Sequence, residues 1–341
     1  MSLKNLTAIK KTHSFLLDKL KDKKVNNIYQ KFESLLDTNE NFIVAVSGGA
    51  DSLALSFLSK IYSIKNSLKP KYFILDHKLR KNSTLETRHL KENLNKFLIN
   101  LNILTWRGIK PKNNIQSIAR DKRYSLLLKT AKKLKIKNIL LGHHMDDLIE
   151  NFFIRFIRGS GLNGLVSLKK KTKVDDINLI RPLLNFKKKD LIYITNYVFG
   201  FYVKDPSNKD DKFKRVKIRK FLTQLEKEGL DTDKFFLTIK NLQSSNQTIK
   251  FYTSENLKKN VTYLERKQSV ALKQDFFYNS KEVVFRSFTK IVKAIGQKYY
   301  PTRGKKIDRV IKLINSKSNF KVTLGGCIVK KVNETVLLSK E

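Results

Sequence analysis

Between residues 41 and 158, short apolar runs alternate with longer amphipathic stretches, and this alternation restricts the fold more than any other feature. The apolar runs lie at 41–46, 72–76, 101–106 and 138–141; helical patterns cover 52–65, 85–100, 115–134 and 145–158. Strands separated by crossovers of that length pair in parallel, and each sheet face must then be covered by helices. The expected class is α/β, with a parallel sheet sandwiched between helices. Ligands of such sheets bind beyond the carboxyl ends of the strands. Chemistry is therefore to be sought just after each apolar run. Residues 5–37 read as one or two amphipathic helices placed ahead of the sheet. From about residue 226 the alternation fades into lysine-rich helical patterns, with a late strand-like pair at 321–329 and 334–339. The expected organisation is an N-terminal helical extension (1–38), a ligand-binding α/β domain (39–225), and a mainly helical C-terminal domain ending in a small β element (226–341).

The segment Ser47-Gly48-Gly49-Ala50-Asp51-Ser52 directly follows the first run and opens the first crossover helix. Adjacent glycines allow positive φ and close approach of an anion to the backbone. A helix N-terminus offers N–H donors and partial positive charge to phosphate. Ser47 and Ser52 can add hydroxyl donors, and Asp51 can hold a magnesium ion bridging phosphates. The plainer alternative is a βα turn with Asp51 or Ser52 as its N-cap. No G-x-x-x-x-G-K-[ST] sequence is present. The other glycine-rich stretch, Gly159-Ser160-Gly161-Leu162-Asn163-Gly164, follows a helix rather than a strand, so it lacks the setting of a dinucleotide site.

Gly142-His143-His144-Met145-Asp146-Asp147-Leu148-Ile149-Glu150 follows the fourth run. Met145, Leu148, Ile149, Phe152, Phe153, Phe156 and Ile157 recur at helical spacing and predict one buried face. Asp147, Glu150 and Arg158 fall on another face, near the sheet's carboxyl edge, where carboxylates suit the ammonium groups of an amino acid. Acids in a first turn also favour the helix dipole. His143, at the strand end, is placed to contact phosphate or a developing charge. Arg120 and Arg123 share a helix face; guanidinium groups suit a phosphoryl transition state or an RNA phosphate, and otherwise form a solvated basic face.

The formal charge of +41, from 71 basic and 30 acidic residues, suits a polyanionic partner, nucleic acid first. A lysine-biased composition that only solvates the surface is the alternative. No apolar run approaches the roughly 18 residues that span a bilayer, and residues 1–20 lack the continuous apolar core of a signal peptide. A cytoplasmic protein without membrane association is expected.

The loop at 47–52, placed after a first strand, resembles the signature of the PP-loop ATP pyrophosphatases, which split ATP into AMP and pyrophosphate. The fold this implies is a Rossmann-like PP-loop ATPase sheet. Further blocks are Asp76-His77 with Leu79-Arg80, Ala119-Arg120 with Arg123-Tyr124, and Gly142 through Glu150. Arg158-Gly159-Ser160-Gly161, Arg181-Pro182-Leu183-Leu184, and Asp205-Pro206-Ser207-Asn208 with Arg215 and Arg219 complete the series. In order and spacing they resemble the tRNA(Ile)-lysidine synthase family from about 42 to 221. A weaker resemblance covers Tyr300-Pro301-Thr302-Arg303 and Thr323-Leu324-Gly325-Gly326-Cys327. Val216, Leu148 and Asn151 depart from the Asn, Gln and Thr common in the family. The chain is also shorter than the longest members, so a full second C-terminal domain is expected to be absent.

The resemblance implies ligation of free L-lysine to C2 of the wobble cytidine of tRNA(Ile) with anticodon CAU, through an adenylated intermediate. It implies ATP binding by Ser47, Gly48, Gly49, Ala50, Asp51 and Ser52, with Mg2+ on Asp51. Asp51, Arg120 and His143 would be catalytic, and Asp147 and Glu150 would bind lysine. Arg158, Arg215, Arg219 and Arg303 would hold tRNA, the last in a tRNA-binding C-terminal domain. The sequence leaves the oligomeric state open, a homodimer included. One rival is a PP-loop tRNA sulfurtransferase, which the single Cys327 suits badly because such chemistry usually needs several thiols. The other is a non-catalytic RNA-binding protein, against which the complete loop and acidic helix argue.

Overall fold

A computed structural model describes residues 3–79, 82–108, 111, 113–203, 214–264, 269–298 and 302–341. The chain divides into two compact units, Met1–Phe236 and Leu237–Glu341. The first unit begins with α1 (Leu3–Asp18) and α2 (Lys23–Leu35). It continues through β1 (Phe42–Val46), α3 (Ala50–Lys65), β2 (Lys71–Asp76), α4 (Ser83–Asn95), β3 (Leu101–Thr105) and α5 (Ile115–Lys133). Next come β4 (Asn138–Leu140), α6 (Met145–Phe156), α7 (Leu162–Leu165), β5 (Lys171–Val174), β6 (Ile177–Ile180), α8 (Lys188–Phe199) and α9 (Lys214–Lys227). The helix α10 (Thr232–Asn260) carries the division between the units, whereas the boundary expected at 225/226 falls near the end of α9.

The first sheet has the order β3-β2-β1-β4-β6-β5. All neighbours pair in parallel except β5, which lies antiparallel on β6. This hairpin was not among the expected strands: its strands are short, Lys171 and Lys173 point into solvent, and the turn needs Asp175 at φ +51. Strand order reverses at β1, with β2 and β3 on one side and β4 and β6 on the other. The crevice at such a switch point is where open α/β sheets bind ligands. It lies between the carboxyl ends of β1 and β4.

Packing fixes those two strand ends. Tyr29 and Phe32 of α2, Phe57 and Leu58 of α3, and Leu191 and Ile194 of α8 are fully buried on one face. Leu127 and Ala131 of α5 cover Ile43 and Ile139 on the other. Each large apolar side chain buried this way stabilises the unit by about 1.5–3 kcal/mol. Leu16 of α1 and the buried face of α2 share the core of α3 and α8, so these helices pack into this unit.

In the second unit the strands are β7 (Val261–Leu264), β8 (Ser269–Leu272), β9 (Phe320–Leu324), β10 (Cys327–Val332) and β11 (Thr335–Lys340). Helices α11 (Lys281–Gly296) and α12 (Gly304–Ser316) lie between β8 and β9 in sequence. The sheet order is β7-β8-β11-β10-β9, antiparallel throughout. Phe288, Ile291, Ile307 and Val310 pack on Val270, Leu272, Val329 and Leu338. The expected strand at 321–329 is two strands, folded back at Gly325 and Gly326, whose φ values are +62 and +83. The β element is thus larger than the sequence suggested. Among the described residues no helix is long and apolar enough to cross a membrane.

Candidate active site

The loop after β1 reverses on Gly48, at φ +85. Gly49, at φ −71, is the N-cap residue of α3 and could be any residue on backbone grounds. A side chain on Gly48 would also meet Val203, 3.2 Å from its Cβ position, and the Val203 N–H donates to the Gly48 carbonyl at 2.9 Å. Ser52, expected as a phosphate donor, instead ties the loop together. Its Oγ accepts from the Ser47 N–H at 3.0 Å and from the Ser47 hydroxyl at 3.2 Å, and donates to the Gly49 carbonyl at 2.9 Å. The Ser52 and Leu53 N–H groups both donate to the Gly49 carbonyl at 3.1 Å, so the donors facing an anion are the Ala50 and Asp51 N–H groups at the very start of α3. The end of β4 presses against this loop: a Cβ on Gly142 would lie 3.4 Å from the Asp51 carbonyl.

Asp51 sits in that first turn. Its Oδ1 is buried and has no partner among the described residues, while Oδ2 lies 3.5 Å from His144 Nε2. No group of three or more His, Cys, Asp or Glu side chains suited to a metal occurs among the described residues. One carboxylate with an open oxygen fits Mg2+, which commonly takes one or two protein carboxylates and completes its shell with phosphate oxygens and water.

His143 and His144 follow β4, with His144 extended (φ −124, ψ −174), and the two side chains meet different neighbours. The Arg120 guanidinium donates to Tyr124 Oη at 3.2 Å and lies 3.4 Å from His143 Nε2. Burial pushes His143 down, Asp147 opposes this, Arg120 reinforces it, and the imidazole is held well below its ordinary value. His143 is thus neutral near pH 7. With Nε2 facing an arginine donor, its proton belongs on Nδ1, a buried atom with no partner among the described residues. Farther along α5, Arg123 Nη2 lies 3.3 Å from His77 Nε2, and His77 packs edge-on against Trp106. One helix thereby braces the ends of β2, β3 and β4. Arg181, just after β6, is buried and donates to the Lys169 carbonyl at 2.9 Å and Thr172 Oγ1 at 3.0 Å.

His144 is the functional candidate that sequence reasoning missed. It is 3% exposed and surrounded by acids: Asp51 and Asp147 each at 3.5 Å from Nε2, and Asp146 at 3.7 Å from Nδ1. Burial alone would depress it, but Asp146, Asp51 and Asp147 outweigh burial and push it up to about 10. Burial raises Asp147 in turn, yet the protonated His144 holds it below the usual carboxylate range. The available signal was the strand-end pair itself, since two successive histidines after a strand meet different neighbours.

Glu150, expected as an open lysine ligand, is buried and gripped by Arg219, which donates from Nε to Oε1 and from Nη2 to Oε2. Burial still leaves Glu150 above its ordinary value despite that partner. Two side chains given separate roles are therefore paired, and Arg219 on α9 is held against Glu150. Arg158 is corrected too. The helix α6 ends at Phe156, so Arg158 lies exposed in the following turn and shares no face with Asp147 and Glu150. Phe156 and Ile157, expected to be buried, are both 59% exposed. Arg215 is exposed on α9 and its charge reaches Asp147 and Glu150. Arg303 is exposed at the start of α12 in the second unit. Val216 and Leu148 are buried, and Asn151 donates to Ser167 Oγ at 3.2 Å. Arg80, Asp205 through Asn208, Tyr300 and Pro301 lie outside the described residues.

A strand-end loop with a half-buried, metal-compatible carboxylate, an arginine–imidazole pair and an acidic helix defines a nucleotide-handling site. Residues 17–226 match the PP-loop domain family, so this is a PP-loop protein built to use ATP. The chain is 30% identical over 311 residues, 89% of its length and 71% of the relative's, to a tRNA(Ile)-lysidine synthase of Wolbachia pipientis wMel. It is equally identical over 323 residues, covering 92% and 74%, to the enzyme of that name from Rickettsia felis. The chain belongs to the tRNA(Ile)-lysidine synthase family. Its fold is also similar to that of a U34-tRNA thiolase from Methanococcus maripaludis, with TM-score 0.55 and 16% identity over 65% of this chain and 78% of that one.

Proposed function

We propose that this enzyme adenylates the wobble cytidine of a tRNA(Ile) with anticodon CAU and replaces the adenylate with lysine. The cytosine C2 oxygen attacks the α-phosphorus of ATP, and pyrophosphate departs. The lysine ε-amine then attacks C2 and loses a proton, and AMP leaves carrying the former C2 oxygen. Adenylation is needed because a carbonyl oxygen is otherwise a poor leaving group.

The observation that carries the reading is the joining of three elements at one switch point: the phosphate loop, Arg120 with neutral His143, and the acidic start of α6. The loop's N–H groups and Asp51 would hold pyrophosphate. Asp51 would also hold Mg2+, whose charge would help to neutralise the phosphates. Arg120 would stabilise the phosphoryl transition state, a role that preorganised cations fill at low reorganisation cost. His143 would offer its unpartnered Nδ1–H to an oxygen of the substrate. Asp147 and Glu150 would orient lysine, with Glu150 shared between Arg219 and the incoming ammonium. Arg158, Arg215 and Arg303 would contact tRNA phosphates, and the enzyme would work in the cytoplasm. Sulfur transfer is disfavoured because Cys327, the sole thiol, is buried in β10 of the second unit.

The test supplies ATP and labelled lysine to tRNA(Ile) bearing CAU and, in parallel, to tRNA(Met) with the same anticodon. Label should enter only the first. Equal labelling of both, or label in neither, overturns the proposal.

A further inference from the structure

An aromatic chain links α6, α9 and the start of α10 in the first unit. Phe156 stacks on Phe152 at 6.2 Å; Phe152 and Phe153 each meet Phe235 at 5.2 Å; Phe153 meets Phe221 at 6.0 Å. Phe152 is buried, but the two ends emerge: Phe156 is 59% exposed and Phe221 44%. Ile157, also 59% exposed, adjoins Phe156. An exposed phenylalanine costs free energy that a lysine would not, and two at the ends of one packed ladder are held rigidly for contact.

The surroundings select the occupant. No Asp or Glu occurs from Asn151 to Val174 or from Lys214 to Leu225. The exposed cations beside the aromatics are Arg158 after α6 and Lys214, Arg215, Lys217 and Lys220 on α9. Glu150, the last acid of α6, is already neutralised by Arg219. Exposed acids (Glu226, Glu228, Asp231 and Asp233) begin only past Leu225, toward Phe235. Rigid aromatic faces flanked in sequence by cations suit unpaired bases: phosphates meet lysine and arginine while bases stack on the rings. Asp147 and Phe156 lie nine residues apart on α6, about 14 Å along the axis. A base stacked on Phe156 and one reacting beside Asp147 can thus belong to the same short single strand.

We infer that Phe156 and Phe221 are stacking platforms for unpaired loop bases of the RNA substrate, next to the nucleotide undergoing reaction. This rests on the tRNA reading above and adds to it where the neighbouring bases go. The cations then fix the strand's path, and the rings fix which bases splay apart so that the reactive one enters the site.

The experiment uses the full chain and an anticodon stem-loop with 2-aminopurine replacing one base beside the wobble cytidine. Stacking quenches this fluorophore. Binding to the wild-type enzyme should quench it. Phe156→Ala should remove the quenching and weaken binding by roughly tenfold or more, in line with the loss of one base–aromatic stack. Phe156→Tyr should restore both, and Phe156→Leu should restore neither; ATP affinity should stay at the wild-type level throughout. Equal binding and quenching in Phe156→Ala and wild type would overturn the inference. So would full rescue by Phe156→Leu, which would mark the patch as an apolar seat for protein. If the wild type incorporates lysine without quenching, the platform fails while the tRNA reading stands. If it neither binds nor modifies the RNA, both fail together.

Discussion

Replacing His144 by glutamine removes the single cation buried among Asp51, Asp146 and Asp147. The imidazole's shift from 6.5 to about 10 corresponds, at about 1.36 kcal/mol per unit, to an upper bound near 5 kcal/mol. Breaking a buried ion pair by deleting one partner costs about 3–5 kcal/mol. Because Asp146 is half exposed and screened by water, the lower end applies, about 3 kcal/mol. Urea unfolding followed by fluorescence reads this directly, since Trp106 is the sole tryptophan and is buried in the first unit. The folded imidazole binds its proton more tightly than the unfolded one. Its contribution is therefore fully present below pH 6.5 and is lost as pH rises through about 10. The stability gap between wild type and variant should narrow steadily across that window. A gap under about 1 kcal/mol at neutral pH, or one that widens as pH rises, would refute the reasoning.

Other substitutions test other parts of the site. Asp51→Ala should lower pyrophosphate release by roughly a hundredfold or more in a tRNA- and lysine-dependent assay, while filter binding shows tRNA affinity near wild type. Gly48→Ala forces a side chain into φ +85 beside Val203; a penalty of about 1–2 kcal/mol should appear as weaker ATP binding in calorimetry. Glu150→Gln should raise the KM for lysine by roughly tenfold, about 1.4 kcal/mol, and leave the KM for ATP unchanged. With a formal charge of +41, tRNA affinity should fall steeply with salt, by about 0.7–0.9 log units per log unit of salt for each phosphate contacted.

The sheet and its loop were legible because their signals are local. Apolar runs bounded by Gly48 and Gly142 place the strand ends, and crossover length dictates parallel pairing. The β5–β6 hairpin and β7–β8 were not, because strands of only four residues are too short to show a periodicity of their own. The Glu150–Arg219 pair joins residues 69 apart, a contact that helix periodicity cannot reveal. The intraloop bonds of Ser52 were hidden for the opposite reason: its hydroxyl joins groups within its own loop, which composition shows only as a serine in the right place. Periodicity along α6 predicted burial of Phe156 and Ile157, but it reports which residues share a stripe and not where the packing that covers the stripe ends. His144 escaped because histidines adjacent in sequence look alike, whereas the fold sends one to an arginine and the other to three carboxylates.

The account stands or falls on whether the base itself captures the adenylate. A tRNA(Ile) carrying heavy oxygen at C2 of its wobble cytidine, incubated with ATP and lysine, puts the question to a mass spectrometer. The account predicts AMP bearing that heavy oxygen, in amounts equal to the lysine incorporated. Unlabelled AMP, or release of ADP and phosphate instead, would contradict it.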